Sequence, residues 1–105
     1  MAERRLTETV KECADLFYEN SEQAAYEALG RLLPELNGQL QEFIGVLGRF
    51  PDGAGETMQQ KVLADLRELV TAYQYKDGLA LADLLFYDIS EELNLLEELK
   101  QGAGK

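Results

Sequence analysis

The chain has 105 residues, with twenty Asp and Glu against ten Lys and Arg, a formal charge of -10. That length fits one domain rather than two, and the acidity works against binding a phosphate backbone or an anionic membrane. Histidine is absent and Cys13 is the only cysteine. This excludes a Ser-His-Asp or Cys-His arrangement, zinc held by Cys and His, a Glu-x-x-His di-metal site and an intramolecular disulfide.

Apolar residues are plentiful enough for a globular core, while β-branched residues never cluster into a strand-like run. Most residues between the glycines are good helix formers. The expected fold class is therefore all-α: an antiparallel four-helix bundle with a Pro-kinked second helix, spanning residues 1–105 as a single domain. Met1-Ala2-Glu3-Arg4-Arg5 does not open a secretory signal, and no apolar run reaches membrane-spanning length. The expectation is a cytoplasmic protein with no cofactor, no nucleic-acid partner and no membrane partner.

The first helix is expected over residues 3–18, with Leu6, Val10, Cys13 and Phe17 on one face at helical spacing. Cys13 then falls inside, as an inert thiol. Asn20 is a candidate N-cap for the second helix, with Gln23 at the capping-box position. That helix, 21–49, carries Tyr26, Leu29, Leu33, Leu36, Leu40, Phe43, Leu47 and Phe50 in steps of three and four. Pro34 predicts a kink, but the phase does not slip, which favours one helix over two. Gly30, Gly38, Gly45 and Gly48 share one arc of this helix. They predict the close approach of another helix, from the bundle itself or from a partner.

Pro51-Asp52-Gly53-Ala54-Gly55 reads as a loop without the spacing of a phosphate-binding motif. Thr57 fits an N-cap for the third helix, 57–75, which places Met58, Val62, Leu66, Leu69, Val70 and Tyr73 on one side. At Lys76-Asp77-Gly78 the chain either turns into a fourth helix, 79–100, or continues as one rod of roughly 60 Å at 1.5 Å per residue. The tail from Gln101 is expected to fray.

A uniform wheel of the fourth helix groups Ala82, Leu85, Phe86, Ile89, Leu93 and Leu96. Leu81, Leu84, Leu95 and Leu99 widen this apolar arc, and Asp88 and Glu92 fall inside the widened part. Asp83 and Ser90 point away. Asp88 and Glu92 are four residues apart and so are surface neighbours. They read as a structural pair at a bundle edge, satisfied by Arg, Lys or Tyr from another helix or subunit, with Arg67, Tyr18, Tyr26, Tyr73 and Tyr75 as candidate partners. Alternatively they form a carboxylate metal site, or the acids of a small enzyme. Tyr75 and Tyr87 point off the main apolar face, as interface tyrosines do.

The residues Ala72-Tyr73, Lys76-Asp77, Leu81-Ala82-Asp83-Leu84-Leu85 and Tyr87 resemble a stretch found in small acidic all-helical bacterial proteins of uncharacterised function. The resemblance covers about a quarter of the chain, carries no catalytic motif and implies no activity. In size, charge and helicity the chain is also similar to small acidic export chaperones. The resulting expectation is a non-enzymatic protein-interaction or adaptor/chaperone-like bundle that pairs with itself as a homodimer or with another helical protein. The expected interaction residues are Tyr75, Leu81, Leu84, Tyr87, Asp88, Glu92, Leu95 and Leu99.

Overall fold

Three reversals, each holding a residue in the left-handed backbone region, cut the chain into four helices. Those residues are Asn20 (φ 62°), Asp52 (φ 57°) and Lys76 (φ 58°). The computed structural model describes residues 5–103; residues 3 and 4 of the expected first helix, and Gly104 and Lys105 of the expected frayed tail, lie outside them. The helices are α1 (Leu6–Tyr18), α2 (Glu22–Gly48), α3 (Glu56–Gln74) and α4 (78–103), with a short 3-10 turn at Pro51–Gly53 between α2 and α3.

The first and third reversals close by one motif. After α1, the Ser21 amide donates to the Leu16 carbonyl at 2.9 Å and the Asn20 amide to Phe17 at 3.1 Å. After α3, Asp77 donates to Ala72 at 2.9 Å and Lys76 to Tyr73 at 3.3 Å. In both, a left-handed residue just past the helix lets the chain satisfy the last carbonyls. Asn20 thus ends α1 instead of capping α2, because its side chain tolerates that conformation. At the third reversal the Asp77 carboxylate accepts from the Ala80 amide at 3.1 Å and starts α4. The chain turns here, so the single-rod alternative is not realised. Lys76 bears the strain of a left-handed conformation, and its ammonium lies 4.5 Å from the Tyr26 ring centroid and 5.5 Å from that of Tyr73.

The second reversal departs from expectation at Thr57, since Gly55 occupies the N-cap of α3 and Thr57 lies within the first turn. Glycine is required at 55 by proximity: a Cβ there would stand 2.3 Å from the Leu47 carbonyl oxygen. α2 runs through Pro34 as one helix. Pro34 and Gly30 are both exposed, so the Gly30 carbonyl that loses its amide partner lies on the wet side of the helix.

The core joins Val10 and Phe17 of α1, Leu29, Leu36, Leu40 and Phe43 of α2, Val62 and Leu69 of α3, and Leu81, Leu85, Ile89 and Leu96 of α4. Each such side chain contributes about 1.5–3 kcal/mol by leaving water. α4 packs against all three other helices, α1 against α2, and α2 against α3. The Cys13 thiol is buried, donates to the Ala25 carbonyl and is pushed up by burial to about 11, so it stays protonated and unreactive at neutral pH. On α3 the inward face is Val62, Asp65, Leu69 and Ala72, whereas Val70, expected inside, is exposed.

α4 is one helix of two pitches. Gly78–Asp83 and Ser90–Ala103 are α-helical, and Leu84–Ile89 between them is a π-helical turn. A π turn accommodates one more residue than an α turn and so advances the buried face along the sequence. Before it, Leu81 and Ala82 are buried; within it, Leu84, Leu85 and Ile89; after it, Ser90, Glu92, Leu93 and Leu96. Ser90 therefore points inward, contrary to the uniform wheel, and its hydroxyl donates to the Phe86 carbonyl. The helix also continues past Lys100, so Gln101 to Ala103 are helical.

The glycine arc of α2 does not receive a helix of the bundle along its length. All four glycines are exposed. A Cβ at Gly30 would come 3.9 Å from the Tyr73 hydroxyl and one at Gly48 2.9 Å from the Gln59 amide, while Gly38 and Gly45 have nothing within 4 Å. Gly38→Ala and Gly45→Ala are therefore expected to raise stability by about 0.5–1 kcal/mol each. Gly55→Ala is expected to lower it. Urea unfolding of the three variants checks both signs.

Candidate functional site

Two features meet on α4: a cluster of charges at its π turn and an apolar groove along its second half. The expected interaction residues divide between them and the core. Leu81 and Leu84 are 0% and 3% exposed; they pack inside the bundle and present no outward surface, because the π turn directs this side of α4 inward. Tyr75 and Tyr87 stand out at 79% and 61% exposure. Leu95 and Leu99 are half-buried.

The charge cluster is centred on Lys61 of α3. Its ammonium lies 2.8 Å from Asp65 Oδ2, 3.0 Å from Glu92 Oε2 and 3.4 Å from Asp88 Oδ1. Asp65 is one turn along α3, while Asp88 and Glu92 come from α4, so one cation ties the two helices together. The partner is a lysine of another helix, within the expected Arg, Lys or Tyr, but it is Lys61 and not the candidates Arg67, Tyr18, Tyr26, Tyr73 or Tyr75. The readable signal was the Lys61–Asp65 spacing on α3, with Asp65 in step with Val62 and Leu69.

Asp88 and Glu92 are not equivalent. The Asp88 side chain is half-exposed, whereas Glu92 is buried and its Oε1 has no hydrogen-bond partner. Burial, reinforced by the neighbouring Asp65 carboxylate, raises Glu92 to about 8 against the opposing pull of Lys61. Burial lowers Lys61, but its bonds to Asp65 and Glu92 outweigh that and leave the ammonium raised. Burial thus favours the protonated form of Glu92 beside the Lys61 ammonium. Among the described residues no group of three Cys, His, Asp or Glu side chains is arranged to hold a metal ion. The Lys61 ammonium takes the place a cation shared by these acids would occupy.

Beside the cluster, Tyr87, Phe86 and Tyr18 form an edge-to-face series with centroids 5.0 and 6.2 Å apart. The Tyr18 hydroxyl donates to Asp83, and that bond, with burial, pushes the phenol up to about 12. Asp83 is exposed, as expected, but it is engaged with α1 instead of being simply solvated.

The groove has a volume of about 340 Å³. Phe43 and Leu47 at the end of α2, Phe50 just past it, Met58 at the start of α3, and Leu95 and Leu99 of α4 line it, with Glu98 at its rim. Gly55 brings the loop against Leu47 at its base. The π turn accounts for Leu95 and Leu99, since rotating Glu92 and Leu96 inward leaves these two leucines half-out, facing the groove.

Raising the pH is expected to weaken the fold through Glu92. The stability its protonated form contributes is complete below the ordinary value of 4.5 and is lost as the pH rises through about 8. Glu92→Gln removes that part of the pH dependence. Lys61→Met leaves Asp65 and Glu92 buried without their cation and costs about 2 kcal/mol at neutral pH, a figure held down by the exposure of Lys61. Urea unfolding at acidic, neutral and alkaline pH checks all three statements.

No family model, no curated protein and no solved structure matches this chain.

Proposed function

We propose that this protein is a non-enzymatic interaction bundle, adaptor- or chaperone-like and cytoplasmic, that receives an apolar segment of another chain in the groove between α2, α3 and the second half of α4. The groove itself carries the reading. Six large apolar side chains line an open surface whose Leu95 and Leu99 remain half-exposed after the bundle has formed its core. Such a surface suits an amphipathic helix offering anchors at i, i+3, i+4 and i+7. The exposed Tyr75 and Tyr87 add amphipathic contact area elsewhere on the surface. No described helix is long and apolar enough to cross a membrane, which fits a partner met in water. The occupant is either a second copy of the chain or another helical protein.

A carboxylate metal site or a small enzyme built on Asp88 and Glu92 has less support. Lys61 already engages both acids, and Glu92 is buried in the α3–α4 contact.

Leu99→Glu places a charge in the groove at a half-exposed position. It is expected to weaken association more than tenfold, equivalent to about 1.4 kcal/mol or more, while the melting temperature changes by only a few degrees. Light scattering over a concentration series and crosslinking in cells, each compared between the parent chain and the variant, read this out. Unchanged crosslinked products would count against the groove.

A further inference from the structure

We infer that the groove takes a cationic amphipathic segment of a different protein in preference to a second copy of this chain. The inference rests on the groove being a binding surface and specifies the chemistry of its occupant. Its lining includes one ionisable side chain, Glu98, and no cation. Adjacent in sequence to the lining stand two exposed acids, Asp52 of the loop and Glu56 at the start of α3, and two basic residues, the exposed Arg49 and Lys100. Lys100 is already paired with Glu42 at 3.1 Å. The groove is therefore apolar inside, with Glu98, Asp52 and Glu56 outnumbering Arg49 around it, on a molecule of charge -10.

A second copy would bring Glu98 against the like field of an equally acidic partner, and charges in contact lie within the Debye length of about 8 Å at physiological salt. A helix with leucines on one side and lysines or arginines beside them meets both requirements at once. Its apolar anchors fill the lining, and its cations meet Glu98, Glu56 and Asp52. The surrounding negative potential also speeds its encounter.

The probes are two synthetic helical peptides of about five turns, with one identical leucine stripe and either lysines or glutamates on the opposite face. Each is titrated with the full chain and followed by fluorescence anisotropy. The expected result is saturable binding of the lysine peptide at least about tenfold tighter than the glutamate peptide, a tenfold difference being 1.4 kcal/mol. Leu99→Ala should weaken the lysine peptide severalfold. Glu98→Gln should narrow the gap between the peptides, as should added salt, with circular dichroism reporting that both variants keep their helix content.

Equal binding of both peptides, lost from both in Leu99→Ala, would overturn the charge preference and leave the groove standing. Lysine-peptide binding that Leu99→Ala does not change would reduce the effect to attraction by the acidic surface at large, and would overturn the inference. A concentration-dependent dimer abolished by Leu99→Ala, with neither peptide binding, would make the second copy the occupant. Neither peptide binding to a strict monomer would remove the groove reading and the inference together.

Discussion

The π-helical turn at Leu84–Ile89 is the constraint on which the other features of this molecule depend. By holding one residue more than an α turn, it changes which residues of α4 face inward. Leu81 and Ala82 face the core before it; Ser90, Glu92 and Leu96 do so after it. The wider turn needs its loosened carbonyls satisfied, and Ser90 returns its hydroxyl to Phe86 to do so. The same shift carries Glu92 under Lys61 and leaves Leu95 and Leu99 at the groove. A regular α-helix of the same sequence would direct its leucines and acids differently along this half.

Glu92 shows how a buried acid is tolerated. An isolated carboxylate in a protein interior is strongly disfavoured, so such a group is either paired or neutral. Here it is both: Lys61 lies 3.0 Å from one oxygen, and burial and Asp65 together raise its proton affinity. The ammonium has more carboxylates around it than it can neutralise. Burial favours a proton on the deepest of these carboxyls, Glu92, whose Oε1 has no partner. The bridge between α3 and α4 is thus partly electrostatic and partly a matter of which group holds a proton.

Periodicity revealed the helices and most of the core, because a 3.6-residue repeat of apolar side chains is a local signal that burial rewards. The turn at Lys76-Asp77-Gly78 was one of two options, and Asp77 capping Ala80 decided it. The direction of individual side chains on α4 was not legible, since a wheel assumes uniform pitch and the π turn breaks it. That assumption put Ser90 outside and gave Leu81 and Leu84 the same outward role as Leu95 and Leu99. Asp88 and Glu92 stood out correctly as a neighbouring pair, yet their common partner did not. Lys61 sits 27 and 31 residues away, and only the packing of α3 on α4 joins them. The α2 glycines marked an unusual arc, but wheel position alone could not distinguish a helix crossing from open surface.

The left-handed Lys76 has a consequence for the order in which this chain assembles. Lysine in the unfolded chain avoids that backbone region, so the α3–α4 reversal has little tendency to form by itself. What offsets the cost is the ammonium over Tyr73 of α3 and, more closely, over Tyr26 of α2. A hairpin of α3 and α4 alone lacks Tyr26. The α3–α4 reversal is thereby made conditional on α2 being docked, which couples a local backbone choice to a long-range contact and favours all-or-none assembly over stepwise hairpin formation.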